Sequence, residues 1–139
     1  MATHEDFFKK ELVTELRNIA GLMEKEKNPE KKIYYFSAGY GITSRSYRYA
    51  FSSEILLADL ILNASYQTLF DRFKRIKSGE TTVPLDDATF KKIEEGLWDL
   101  AKALDTGKPI QKSLEQILTA SFSVSGPGYY LKEKGMLKL

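Results

Sequence analysis

The sequence predicts an all-α protein, an up-and-down helical bundle that forms a single domain over residues 1–139. Apolar residues recur at spacings of three and four along most of the chain, which is the period of one face of a helix. All four prolines lie between these amphipathic segments or after them. Convincing alternation of apolar and polar residues, which would indicate a sheet, is lacking. Long amphipathic helices joined by short loops therefore define the fold class.

The first helix is predicted at about residues 4–27. Thr3 and Asp6 resemble a capping box in which Asp replaces Glu, and the pair Asn28-Pro29 predicts the end, because the residue before a proline avoids the helical region. The apolar stripe that we expect to be buried comprises Phe8, Leu12, Leu16, Ile19 and Met23.

A second, short helix is predicted at about residues 30–38, with Asn28 as its cap and Pro29 at its first position. The β-branched and aromatic residues of 33–36 leave a strand as the alternative. The segment 39–44, with glycines at positions 39 and 41, is interpreted as a break between helices.

The strongest pattern predicts one long central helix over residues 44–78, which contain neither proline nor glycine. At 1.5 Å per residue such a helix would be about 50 Å long. Gly79 stands where a C-terminal glycine cap belongs. The basic residues before it suit the negative end of the helix dipole; they are Arg72, Lys74, Arg75 and Lys77.

Two more helices are predicted at about residues 87–104 and 109–122. Asp86 or Asp87 caps the first of them, and Pro109 opens the second. Residues 123–139 begin with a run rich in Ser, Gly and Pro, so we expect an irregular C-terminal tail. Whether its last part forms a strand, a helix or a docked segment is left open.

Composition excludes several classes of chemistry. The chain has no cysteine, a single histidine and a net charge of only +2. These counts exclude disulfides and thiolate metal sites, and they remove most histidine-based catalysis. We expect no metal, no cofactor and no catalytic residues, because no nucleophile–base pair is recognisable. Without an apolar leader or a membrane-spanning run, a cytoplasmic protein is the expectation.

One candidate ligand site is the glycine-rich turn that precedes the predicted long helix. A helix N-terminus offers free N–H groups and a partial positive charge, which attract phosphate or carboxylate. Arginines in the first turns add bidentate donors. The residues predicted to bind an anion or a nucleotide phosphate are Gly39, Gly41, Thr43, Ser44, Arg45 and Arg48. An ordinary interhelical turn is the competing interpretation.

A second candidate is an interaction surface rich in tyrosine. Seven of the eight tyrosines fall within residues 34–49 or at 129–130. Tyrosine beside arginine is typical of protein interfaces and also suits stacking with single-stranded nucleic acid. The residues predicted for this surface are Tyr34, Tyr40, Tyr47, Tyr49, Tyr129 and Tyr130.

The expected function is therefore non-enzymatic: a protein-interaction or adaptor module that acts on a protein partner or on a second copy. Residues 55–62 are apolar almost all round, interrupted by Asp59, and a helix of that kind is central or lies at an oligomer interface. This favours a homodimer. The alternative is a binder of a nucleotide or single-stranded RNA at the Gly39–Arg48 segment, and we expect no membrane association.

Overall fold

A computed structural model describes the backbone of residues 4–50, 52–80 and 87–123, with the side chains of 6–45, 52–80 and 87–122. These ranges contain five helices and no strand. The helices are α1 (His4–Lys25), α2 (Pro29–Ala50), α3 (Ser53–Lys77), α4 (Asp87–Thr106) and α5 (Gln111–Ser123). The predicted all-α bundle is confirmed.

The helices form a ring in the spatial order α1, α2, α3, α5, α4, with α4 packed against α1 to close it. Successive helices run in opposite directions along the bundle. Because α5 lies beside α3, these two neighbours run parallel, and both begin at the same end of the molecule. Helix α4, which follows α3 in the sequence, packs mainly against α1 and α5, so the order in space differs from the order in sequence.

The core occupies the centre of this ring. Leu12, Leu16 and Met23 of α1 are fully buried there, as are Leu62 and Leu69 of α3. Helix α4 contributes a long buried stripe, which comprises Phe90, Ile93, Leu97, Leu100, Ala101 and Leu104. The spacing of three and four that predicts these stripes therefore also identifies most of the core.

The predicted break at residues 39–44 is wrong, since α2 continues from Pro29 to Ala50 without interruption. Gly39 is buried against α1, where an added Cβ would lie 3.6 Å from Cδ1 of Ile19. Glycine lowers helix stability by only about 1 kcal/mol relative to alanine, and close packing against α1 offsets that cost. The helical interpretation of residues 30–38 is correct, and the alternative strand is not formed.

The predicted continuous helix over 44–78 is also wrong, because the chain leaves the helical region at Ser52. That residue is extended (φ −84°, ψ 134°), and its hydroxyl accepts a hydrogen bond from the N–H of Ile55. Serine is a strong N-cap, so a helix starts here without help from proline or glycine. The central helix is therefore α3, Ser53–Lys77, and the residues before Ser52 extend α2.

The remaining boundaries agree with the predictions to within three residues, as helix assignments generally allow. Gly79 adopts a positive φ of 80° just after α3, in keeping with its predicted role as a cap. None of the described helices is long and apolar enough to cross a membrane. The predicted tail, apart from Ser123 at the end of α5, lies outside the described residues.

Candidate interaction surface on helices α2 and α3

The outward side of α2 and α3, here called the α2/α3 face, carries exposed apolar and aromatic side chains. In the described part of the chain seven large apolar side chains are exposed, and three of them lie here: Tyr34 (71% exposed), Leu60 (55%) and Phe70 (39%). Tyr40 of α2 and Tyr66 of α3 are half-buried on the same side. Apolar surface exposed on one side of a protein is a feature of many binding surfaces.

Three aromatic rings stack along the seam between α2 and α3. The ring centroids of Tyr40 and Tyr66 are 6.5 Å apart with an interplanar angle of 8°. Tyr66 and Phe70 follow at 5.9 Å and 22°. The second pair is one helical turn apart, at positions i and i+4, which places both rings on one side of α3.

Lysine side chains lie against the aromatic rings at the C-terminal end of α3. The Nζ atom of Lys74 is 5.2 Å from the centroid of the Phe70 ring, and that of Lys77 is 5.1 Å from the Phe73 ring. Both distances allow a cation–π interaction. Lys77 also lies 3.9 Å from the Glu30 carboxylate of α2, so part of the positive charge is balanced within the face.

The other end of the face contains a carboxyl group in an unusual environment. Burial raises the pKa of Asp59, while a hydrogen bond from Thr43 partly opposes that rise. The Thr43 hydroxyl lies 3.2 Å from Oδ1 of Asp59 and 2.8 Å from the carbonyl oxygen of Tyr40. It also lies 3.2 Å from the carbonyl oxygen of Gly39. A hydroxyl has one proton to donate, so these three acceptors compete for it.

Helix α3 is apolar on two sides between residues 55 and 62, as the sequence indicates, and the two sides differ in their surroundings. Ile55, Ala58 and Leu62 are fully buried in the core. Leu56 is half-buried and Leu60 is exposed on the opposite, outward side. The buried side explains the fold, whereas the outward side has no covering helix among the described residues. It therefore forms part of the α2/α3 face.

The residues predicted to bind phosphate lie inside α2 and not at a helix start. The free N–H groups on which that prediction depends are absent, because Gly39 to Arg48 are within Pro29–Ala50. Arg45 lines a shallow cavity of about 280 Å³ between α1 and α2, together with Glu11 and Glu15. The side chain of Arg48 lies outside the described part. Phosphate binding by this segment stays a prediction, with less support than the sequence suggested.

The tyrosines predicted for an interaction surface divide into three groups. Tyr34 and Tyr40 lie on the α2/α3 face, as described above. Tyr47 and Tyr49 belong to α2, but their side chains lie outside the described part, as do Tyr129 and Tyr130 entirely. The tyrosine pattern missed Tyr66 and Phe70, whereas Leu60 lies within residues 55–62, which the sequence predicts to be central or at an oligomer interface. The i, i+4, i+8 spacing of Tyr66, Phe70 and Lys74 could have identified an aromatic row that ends in a cation.

A buried ion pair lies at the other side of α2, away from this face. The Lys32 ammonium group donates to the Met23 carbonyl at 2.7 Å and to the Glu94 carboxylate at 3.2 Å. Burial raises the pKa of Glu94, and the hydrogen bond and charge of Lys32 partly oppose that rise. Because this pair joins α1, α2 and α4 and has little access to solvent, its role is structural.

The described residues contain no group of three or more His, Asp or Glu side chains arranged to hold a metal ion. Comparison of the sequence with protein-family models finds no match, and neither curated proteins nor solved structures show significant similarity. The function has to be inferred from the surface itself.

Proposed function

We propose that the protein is a non-enzymatic protein-interaction module whose binding surface is the α2/α3 face. The observation that carries this proposal is the exposure of Leu60 and Phe70 on α3 and of Tyr34 on α2. Burial of apolar surface contributes about 25 cal/mol of free energy per Å². A few large buried side chains supply most of the affinity of typical interfaces.

The stacked rings support a protein partner better than a nucleic acid. The rings from Tyr40 to Phe70 are already paired with one another in a nearly parallel arrangement, which leaves less room for bases to stack between them. Rigid aromatic side chains with exposed edges are common at protein interfaces. The partner is either a different protein or a second copy of the chain.

A single-stranded nucleic acid is the second candidate, and the lysines favour it. Lys74 and Lys77 place positive charge beside aromatic rings, which is the combination that single-strand binders use. Such binding weakens steeply as the salt concentration rises. Salt dependence of binding to a short oligothymidine therefore separates this candidate from apolar protein binding.

The test is affinity capture from extracts of the source cells with the full chain and two variants. The double variant Leu60→Asp/Phe70→Asp places charge at the centre of the proposed surface. Leu22→Asp is the matched control, because Leu22 is also exposed (46%) but belongs to α1. We expect proteins that the wild type and the control retain to be lost from the double variant.

Sedimentation velocity of the same three proteins tests a second copy as the partner. Self-association through the α2/α3 face predicts a dimer for the wild type and for Leu22→Asp, and a monomer for the double variant. Equal capture by all three proteins, together with equal sedimentation, would contradict the proposed function.

A further inference from the structure

An apolar groove lies between the parallel helices α3 and α5. It is on a different side of the ring of helices from the aromatic row of the α2/α3 face. It has a volume of about 180 Å³ and is lined by Leu57, Ile61, Leu114 and Leu118 with Gln111 and Glu115. Phe122, which is 39% exposed, extends its apolar wall toward the end of α5. A groove of this kind suits a narrow apolar segment.

We propose that this groove binds the chain's own C-terminal segment, residues 124–139. Gly126-Pro127-Gly128 directly follows α5 in the sequence, and such a run readily forms a chain reversal. After it the segment carries six apolar or aromatic residues, enough to fill the groove: Tyr129, Tyr130, Leu131, Met136, Leu137 and Leu139.

The length of the segment is sufficient. The α5 residues that line the groove lie between Gln111 and Leu118. From Gln111 to the end of the helix at Ser123 the distance is about 18 Å at 1.5 Å per residue. An extended chain covers roughly 3.3 Å per residue, so about six residues span that distance. If the eleven residues after Gly128 are extended, they therefore reach the far end of the groove. If they are helical, they cover most of its length.

Charge favours the same occupant. Glu115, the charged side chain among the lining residues, is exposed on the α5 edge of the groove. The segment has three lysines against one glutamate, namely Lys132, Lys134 and Lys138 against Glu133. A basic apolar segment beside this carboxylate is complementary, although an exposed pair contributes at most about 1 kcal/mol.

The test measures one distance by double electron–electron resonance on the full chain. The absence of cysteine allows two spin labels to be placed specifically, at Thr119→Cys on α5 and at Gly135→Cys in the segment. Docking predicts a single narrow distance distribution. Ile61→Asp in the groove should broaden it, whereas Leu22→Asp on α1 should leave it narrow.

Two further measurements keep the result interpretable. Glu115→Lys alters an exposed charge only, so it should broaden the distribution even if Ile61→Asp fails to fold. Dilution of the labelled chain with excess unlabelled chain should leave the narrow distribution unchanged. Three results would each overturn the proposal. The first is a broad distance distribution in the wild type, and the second is a distribution that neither groove variant changes. The third is loss of the narrow distribution on dilution, which indicates a second copy in the groove.

Discussion

At the scale of single residues, the buried Lys32–Glu94 pair is the feature that composition and periodicity do not indicate. Both side chains are 8% exposed. Bringing two charges out of water costs several kcal/mol, which only good geometry and further hydrogen bonds repay. Lys32 satisfies that condition through the Met23 carbonyl at 2.7 Å. The same carbonyl also accepts from Glu26 at 3.2 Å, so it keeps a donor if Lys32 is replaced.

Replacing one partner of the pair should cost much more than replacing both. We expect Lys32→Met to lower the free energy of unfolding by about 3–5 kcal/mol, because it leaves Glu94 buried without its counter-charge. The double variant Lys32→Met/Glu94→Met should recover most of that loss. Urea denaturation of the four proteins in a double-mutant cycle measures the coupling; equal losses in the single and double variants would contradict the expectation.

The cost of Lys32→Met should also depend on pH. Lys32 lowers the pKa of Glu94 against the effect of burial, so its removal raises that pKa further. A raised pKa in the folded state means that ionisation of Glu94 destabilises the fold above that pKa, and that the penalty disappears below the ordinary value. The loss of stability should therefore be larger at pH 7 than at pH 4, as denaturation at both values can show. A larger loss at pH 4 would reverse the assigned sign.

The Thr43 hydroxyl should control the ionisation of Asp59. Thr43→Val removes the hydrogen bond that opposes the effect of burial, so the pKa of Asp59 should rise, whereas Thr43→Ser should leave it near its wild-type value. A titration of the Asp59 carboxyl carbon by NMR measures this. An unchanged pKa in the valine variant would show that the hydroxyl donates to a backbone carbonyl, that of Tyr40 or Gly39, instead.

At the scale of the helices, the sequence predicts the type of every element but misplaces one boundary. The apolar spacing identifies helix on both sides of residues 39–52, because a helix buried on one face has apolar residues at spacings of three and four. The break itself depends on tertiary contacts that sequence does not display. Gly39 is held in α2 by packing against Ile19 and Leu16, while Ser52 begins α3 through its own cap. Arg72, one of the basic residues predicted to suit the negative end of the helix dipole, is fully buried because it lies one turn after Leu69 on the inner side of α3.

Two glycines inside helices should respond to alanine in opposite ways. An added Cβ at Gly96 of α4 would lie 2.5 Å from Cγ1 of Ile117, whereas at Gly41 of α2 nothing lies within 4 Å. Overpacking costs about 1–3 kcal/mol, so Gly96→Ala should destabilise the protein despite its better helix propensity. Gly41→Ala should stabilise it by up to about 1 kcal/mol. Thermal unfolding compares them, and destabilisation by Gly41→Ala would contradict a continuous α2.

The start of α3 should depend on the Ser52 side chain. Its oxygen accepts from the Ile55 N–H at 3.4 Å, so Ser52→Ala should cost about 1 kcal/mol while Ser52→Asp should retain the cap. Chemical denaturation of both variants measures the difference. Equal stability of the alanine variant and the wild type would indicate that the break does not rely on this cap.

At the scale of the whole molecule, the ring arrangement explains which surfaces are open. Five helices that alternate in direction around a ring require at least one parallel pair of neighbours, and here it is α3 and α5. Helix α3 consequently contributes to the core, to the α2/α3 face and to the groove beside α5. The apolar character of residues 55–62 is enough to predict an interface on the outward side of α3. The contact of Tyr40 with Tyr66 could not be predicted, because it joins α2 to α3 across a turn that the sequence places elsewhere.

Site-specific photo-crosslinking in the source cells tests whether the α2/α3 face contacts another protein. A photoreactive amino acid at position 60 reports on the proposed surface, and one at position 22 reports on an exposed apolar position of α1. Contact through the α2/α3 face predicts a crosslinked protein adduct from position 60 and none from position 22. Adducts from position 22 alone, or from neither position, would contradict it.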